Sequence, residues 1–492
     1  MVSGNRHHSR GTLASLTRVI RRYFVALSLV VSACAADPAL TTEPPVSTTT
    51  PTTTAAVPEP PDGLFDARSE VIPPAPAVST APLSDDAVTA VERVWGSLDE
   101  YVAPEDIRAI GATGDARLGW LLADLMRFFQ GTEVWRAIVE AFNELAGTEL
   151  GPLFADVPWR RMNDYMIAWD LPAPPGYAEY KRRLFTLVEP GWEPFFEDDI
   201  GLADWRLISW GGVFIDNRQL GDLGRCPRGC IPALDDPPVI DAGGGDWYPD
   251  DGIVFAVEIN GEARAYPKNM MEVHEMVNDT LGGRRIGMPY CTLCGAAQAF
   301  LTDDVPAGED PYVLRTSGLL SRSNKVMYEL DSKSMFDTFR GIALTGPLAE
   351  AGVQLDQVAV LTTTWGEWKA EHPETTIVVE DGGRGIDYPA DPLQGRDDGG
   401  PIFPVGDVDP RLPVQEQVLG VIAPGGEAVA FPVAAAQEAL RSGGDVGLVG
   451  VSLQSDGGGL RAVGPSGDEL ASHQAFWFAW SQFTPETLVW RP

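Results

Sequence analysis

The run Ile253-Val254-Phe255-Ala256-Val257-Glu258-Ile259, the pair Asn260-Gly261 and the run Glu262-Ala263-Arg264-Ala265-Tyr266-Pro267 decide how this chain is read. Two strand-like stretches around Asn-Gly predict a hairpin, because a tight turn needs residues that tolerate left-handed backbone. Pro267 can then open a helix, since its missing N–H falls where a helix has no partner for one. That helix would carry Met270, His274 and Asn278 on one face and end at Gly282-Gly283. After a short strand comes Cys291-Thr292-Leu293-Cys294-Gly295, two thiols on a tight turn.

The opening stretch has an echo. Val254-Phe255-Ala256-Val257 through Gly261-Glu262-Ala263-Arg264-Ala265-Tyr266-Pro267 is matched by Leu419-Gly420-Val421-Ile422 through Gly426-Glu427-Ala428-Val429-Ala430-Phe431-Pro432 at one constant offset. A second marker follows in each: Trp365-Gly366-Glu367-Trp368 with Pro373-Glu374-Thr375, and Trp477-Phe478-Ala479-Trp480 with Pro485-Glu486-Thr487. Two markers in one order predict two related halves, about 201–378 and 379–492, each a hairpin, a helix and a Trp-rich helix before a last strand. The paired tryptophans lie three apart on a helical face and are expected to plug the core of each half. Only the first half holds the Cys pair, and Gln437 lies near the place that His274 takes there. The first half therefore reads as the working copy and the second as scaffold. The expected fold class is α+β: an all-helical segment over 83–200, then an internally duplicated mixed α/β domain of short strands and hairpins over 201–492.

The helical segment is announced by Ser84, which can cap a helix whose first turn carries Asp85 and Asp86. Two more apolar stripes follow. Leu118, Leu121, Leu122, Leu125 and Phe129 form one that stops at Gly131, and Trp135, Ile138, Val139, Phe142 and Leu145 form the next, stopping at Gly147.

Upstream of this, residues 1–33 read as a targeting segment, with five arginines, an apolar core from Tyr23 to Val31 and small residues at its exit. Val31-Ser32-Ala33-Cys34 resembles a bacterial lipobox, in which Cys34 is lipidated and becomes the new N-terminus. Residues 34–82 are a Pro/Thr-rich tract that cannot bury a core and is expected to be an extended, disordered tether. The expected location is outside the cytoplasm, on the outer face of the cell membrane, with the membrane as partner through the lipid anchor. The formal charge of −34 becomes −39 once the leader is removed, a surface that repels phosphate backbones and argues against nucleic acid. A protein or a small molecule is left as the other partner.

Beyond Cys34, four cysteines remain in two close pairs. Cys226-Pro227-Arg228-Gly229-Cys230 is read as a structural disulfide pinning a short loop. Cys291 and Cys294 admit three readings. A C-x-x-C turn can present both sulfurs to a metal, it can act as a redox dithiol with Cys291 attacking and Cys294 resolving, or it can form a static disulfide. With His274 and either Met270 or Met288 as further donors, a soft set would take copper; Cys, Cys and His with an open position would take zinc. The acidic segment from Glu380 to Asp409 has no EF-hand spacing and reads as a solvated loop.

The segment from Gly229 to about Thr375 resembles the bacterial domain of unknown function family DUF3179. The matching residues are Ile231-Pro232-Ala233-Leu234-Asp235-Asp236-Pro237, Glu258 to Pro267, His274-Glu275 with Asn278-Asp279-Thr280, and Tyr290-Cys291 with Leu293-Cys294-Gly295. Ser317-Gly318-Leu319-Leu320, Ser323-Asn324, Val326-Met327-Tyr328 and Thr363-Thr364-Trp365 also fit, and Arg411 to Trp490 fits more weakly. The resemblance implies that His274, Cys291 and Cys294 belong to a shared site. Two departures are Cys226 and Cys230 ahead of the Ile-Pro motif, and Thr292 where such a knuckle often carries proline. The functions left open are metal handling or metal-assisted chemistry, thiol–disulfide exchange, and non-enzymatic binding at the cell envelope.

Overall fold

The computed structural model describes residues 64–129, 133–151, 158–197, 200–226, 228–395 and 399–492. The leader, Cys34, the tether as far as residue 63, and Pro227, Asp397 and Asp398 lie outside the described residues. The described chain divides into two compact units, residues 75–159 and residues 64–74 with 160–492. Among the described residues no helix is long and apolar enough to cross a membrane.

The first unit is helical: Asp85–Trp95, Pro104–Gly111, Gly119–Phe128 and Glu133–Ala146. Ser84 caps the first of these, its Oγ accepting the Ala87 N–H at 3.2 Å. Leu121, Leu122, Leu125, Ile138 and Phe142 are fully buried, as the two apolar stripes require. Gly111 lets its helix lie against Glu133–Ala146, for a Cβ there would stand 2.7 Å from the Cα of Ala141.

The second unit adds the helix Tyr177–Val188 to five small sheets. Two of them share one design. In the first ladder the order is Leu361–Thr364, Ile253–Ile259, Glu262–Pro267, Thr376–Val378, with two antiparallel pairings and then a parallel one. In the second it is Ser472–Phe476, Gln417–Ile422, Ala428–Pro432, Leu488–Val489, with the same directions in the same order. The first ladder also carries Val239–Asp241 on its edge. In each, a short helix precedes the closing parallel strand, Trp365–Glu371 or Trp477–Phe483. Its two tryptophans are buried, and the second indole N–H donates to a threonine at 2.9 Å: Trp368 to Thr375, Trp480 to Thr487.

The helix after the first hairpin is shorter than its sequence predicts. It spans Lys268–His274 and ends at Glu275, whose φ is +50°. Asn278 lies in the strand Met276–Leu281, and Gly282-Gly283 turns that strand back into Arg284–Cys291. A two-glycine turn between strands won over helix termination because the residues before it alternate across a sheet, with Val277 in the core. These strands, with Ala299–Leu301, Gln357–Val358 and Leu234–Asp235, line up as five strands of a sheet whose sixth, Ala296–Ala297, pairs with Arg284–Cys291 alone. Beside it stands an antiparallel sheet built on the hairpin Leu314–Ser321 and Asn324–Glu329.

Candidate functional site

The thiols sit where the strand Arg284–Cys291 turns into Ala296–Ala297, with Cys291 paired to Ala296. Gly295 takes φ +59°, and a side chain there would press on the Phe476 ring at 3.0 Å, so the tight turn needs glycine twice over. The Cys294 N–H bonds to the Cys291 carbonyl at 3.1 Å, and the Cys294 carbonyl accepts the Phe476 N–H at 2.8 Å. Both thiols are free and buried, 2% and 0% exposed. Each sulfur lies 3.7 Å from the Ser323 carbonyl oxygen, whose two lone pairs can accept an S–H from both, and the Ser323 hydroxyl stands 3.9 Å from the Cys294 sulfur.

The two thiols are electrostatically unlike. Burial pushes Cys291 up, but hydrogen bonds from the Cys294 thiol and from the backbone N–H groups of Lys325 and Cys294 outweigh it, and the net displacement is downward. Burial pushes Cys294 well up, and the neighbouring Cys291 sulfur raises it further. Donors thus converge on the Cys291 sulfur, while burial and the neighbouring sulfur act against ionisation of Cys294.

Beneath them lies a buried Lys–Glu pair. The Lys325 ammonium, on a side chain 3% exposed, donates to the Glu275 carbonyl, lies 3.3 Å from Thr316 Oγ1 and stands 3.5 Å from Glu275 Oε2. Burial lowers its pKa, opposed by Glu275 and Cys291. The Thr292 hydroxyl donates to Glu275 Oε1 at 3.0 Å, a bond the proline common at this place in a knuckle could not make. Cys291, Thr292, Glu275, Thr316 and Lys325 together line one end of a cavity of about 340 Å³. Among the described residues lining it, Cys291 is the one cysteine, and Cys294 is covered behind it.

His274 is occupied elsewhere. Its Nδ1 lies 2.7 Å from the Pro232 carbonyl, which can only accept, so Nδ1 carries the hydrogen; Nε2, 2.6 Å from the Tyr388 hydroxyl, then accepts. Burial pulls its pKa down to about 4, in keeping with this neutral form. The histidine stitches the Ile231-Pro232 segment and the Tyr388 loop onto the end of its helix. Met270 and Met288 are packed in a core with Val257, Tyr266 and Tyr290, separate from the cluster that holds Cys291 and Cys294. The expected donor set of Cys291, Cys294 and His274 with Met270 or Met288 is therefore not drawn together. Nearness along the chain did not convey that the histidine and the thiols point into different layers.

Cys226 and Cys230 are joined, with Cα atoms 5.4 Å apart. Asp216 lies close enough to both sulfurs for the three to form a candidate metal-binding group, the one set of its kind among the described residues. Its carboxylate is committed already: it takes a bidentate pair from Arg218 at 2.7 and 2.8 Å and the Ala233 N–H at 2.9 Å. Joined sulfurs and a saturated carboxylate make a poor cation site.

The motif residues around the site are largely structural. Arg315, fully buried, forks onto Asp235 at 2.8 Å through both terminal nitrogens and donates to the Arg218 carbonyl at 3.1 Å. Asn278 donates to Asp235 at 2.9 Å and accepts the Leu314 N–H at 3.0 Å. Sequence reading missed Lys325 and the base of the site formed with Glu275. One signal was available, a lysine inside the strand Asn324–Glu329 whose neighbours are all apolar or motif residues.

A free C-x-x-C pair on a strand turn, one thiol facing a cavity and the other behind it, defines a dithiol site on a β-rich unit. Residues 228–463 match the model of the family described as protein of unknown function DUF3179. No curated protein and no solved structure matches the chain.

Proposed function

We propose that this protein carries out thiol–disulfide exchange through Cys291 and Cys294, with Cys291 attacking and Cys294 resolving. The observation that carries the reading is the asymmetry of two free thiols in contact, only the first of which borders a cavity. The Cys291 thiolate attacks one sulfur of a substrate disulfide, forming a mixed disulfide and releasing the other half as thiolate. Cys294 then gives up its proton and attacks Cys291, releasing the second half. Two electrons pass from the dithiol to the substrate, and a second dithiol must return them for turnover. Lys325 and the two backbone N–H groups hold the negative charge on Cys291 before attack.

The test is to trap the intermediate: Cys294→Ser should accumulate a mixed disulfide on Cys291, seen as a mass shift, and the intact pair should give a reversible couple against a dithiothreitol buffer. A pair that neither traps nor titrates would sink the reading. The metal reading asks more of the protein, since His274 would have to release Pro232 and Tyr388 and a methionine would have to leave its core. Stoichiometric zinc or copper in protein purified under reducing conditions, lost in Cys291→Ser, would favour it instead.

The lipobox-like segment supports placing the chain on the outer face of the cell membrane, held by lipid on Cys34. Cys34→Ala should move the protein from the membrane to the soluble fraction; unchanged membrane retention would count against the anchor. The matching strand orders support reading the two ladders as copies of one unit. An experimental structure in which they fail to superpose strand for strand would remove that inference.

A further inference from the structure

The cavity before Cys291 restricts what can be exchanged there. At about 340 Å³ it is near the small end of ligand pockets, and its thiol belongs to a residue 2% exposed. With so little of Cys291 exposed, a small disulfide can reach its sulfur more readily than one fixed in the surface of a folded protein. Away from the thiol the walls are apolar, supplied by Val213, Ile231, Leu319, Leu320, Ile402 and Phe403. Among the described residues lining the cavity, the charged groups are the carboxylates of Glu272 and Glu275 and one lysine, Lys325. With Lys325 facing Glu275 at 3.5 Å and Glu272 paired to Lys268 at 2.6 Å, the described residues lining the cavity leave no cation over for an anionic ligand, and the whole chain carries −34.

We infer that the substrate is a small, uncharged disulfide, R–S–S–R, whose R groups are short alkyl or aryl chains that fill the apolar walls while one sulfur meets Cys291. This rests on the exchange reading above. The balance is R–S–S–R plus the Cys291/Cys294 dithiol giving two R–SH and the Cys291–Cys294 disulfide, with two electrons and two protons passing to the substrate. The first R–S⁻ leaves on attack by Cys291, and the Cys294 proton moves to it or to solvent as the second S–S bond is broken.

Reduced full-length protein should be mixed in turn with di-n-propyl disulfide, bis(2-hydroxyethyl) disulfide, oxidised glutathione and a folded protein containing a surface disulfide. Each rate of dithiol loss is normalised to that of free dithiothreitol with the same compound. Di-n-propyl disulfide should react about four- to fifteenfold faster than the hydroxyethyl compound, as burial of one or two additional methylene equivalents implies, with glutathione and protein disulfide slower still. Ile402→Asp, a change at a half-exposed wall position, should cut the propyl rate several-fold more than the hydroxyethyl rate. Equal normalised rates across all four, or protein disulfide reacting fastest, would overturn the substrate class while leaving exchange intact. If no compound, oxidised dithiothreitol included, oxidises the pair, it is the exchange reading that fails.

Discussion

The two ladders have the same strand order, the same directions and the same buried tryptophan pair tied to threonine, yet they carry unequal loads. Between its hairpin and its first returning strand the first ladder holds residues 268–360, and the second holds only 433–471. The longer excursion contains the thiol turn, Lys325, Arg315 and much of the cavity. The thiol turn is thus borne by a strand order that the second ladder shows without it. The comparison also revises the idea of a working copy beside a passive scaffold. Cys291 and Cys294 pack not with Trp365 and Trp368 but in the cluster of Trp477, Phe478 and Trp480. The first half supplies the thiols, and the second supplies the wall behind them.

The largest effect is expected inside the excursion. Arg315→Ala leaves Asp235 without its bidentate partner in a buried site and should cost about 3–5 kcal/mol, measured by denaturant unfolding. A loss under about 1 kcal/mol would mean the excursion is not held by this network. Next comes the pH response of His274. Its folded-state pKa is near 4 against an ordinary 6.5, so between these values the unfolded chain binds a proton that the folded one does not. Its contribution to stability is therefore full above pH 6.5 and falls as pH drops toward 4, by up to about 3 kcal/mol. Asp164 opposes this, since burial raises its carboxyl to about 7 and folding then favours its protonated form as pH falls. The quantity to measure is accordingly the stability difference between wild type and His274→Gln, which should shrink from pH 7 to pH 4. A difference that stays constant would show that His274 titrates normally.

Gly420 tests the second ladder. A Cβ there would lie 2.1 Å from the Trp480 ring, so Gly420→Ala should destabilise by about 1–3 kcal/mol through overpacking. It should also change the reactivity of Cys291 toward a thiol probe, because Trp480 shares the core of the thiols. Smallest is the paired change Thr375→Val and Thr487→Val. Each removes one indole hydrogen bond and should cost about 1 kcal/mol, equally in the two ladders if they are equivalent frames. Only Thr487→Val should alter thiol reactivity.

The frame was legible in the chain because its signals are local: Asn260-Gly261, the run before Pro267, and tryptophans three apart. The thiol turn was legible for the same reason. What failed to show was direction across layers. His274 meets Pro232 and Tyr388, 42 and 114 positions away, and nothing in the spacing around the histidine points to either. The strand Met276–Leu281 was concealed by a helix period that matched Met270, His274 and Asn278 by coincidence. Lys325 reaches Glu275 only because the strand Asn324–Glu329 lies against the end of the helix Lys268–His274, a relation that no single window of sequence contains.

The hydrogen bond from the Phe476 N–H to the Cys294 carbonyl has a bearing on modularity. A repeated unit is ordinarily separable, and loss of one copy leaves the other intact. Here the second ladder closes over the back of the first ladder's thiols, so a chain ended before Arg411 would open Cys294 to solvent and strip the Trp480 cluster from the turn. The two ladders share one strand order, and the dithiol sits where they meet, its turn held by Phe476 and backed by Trp480.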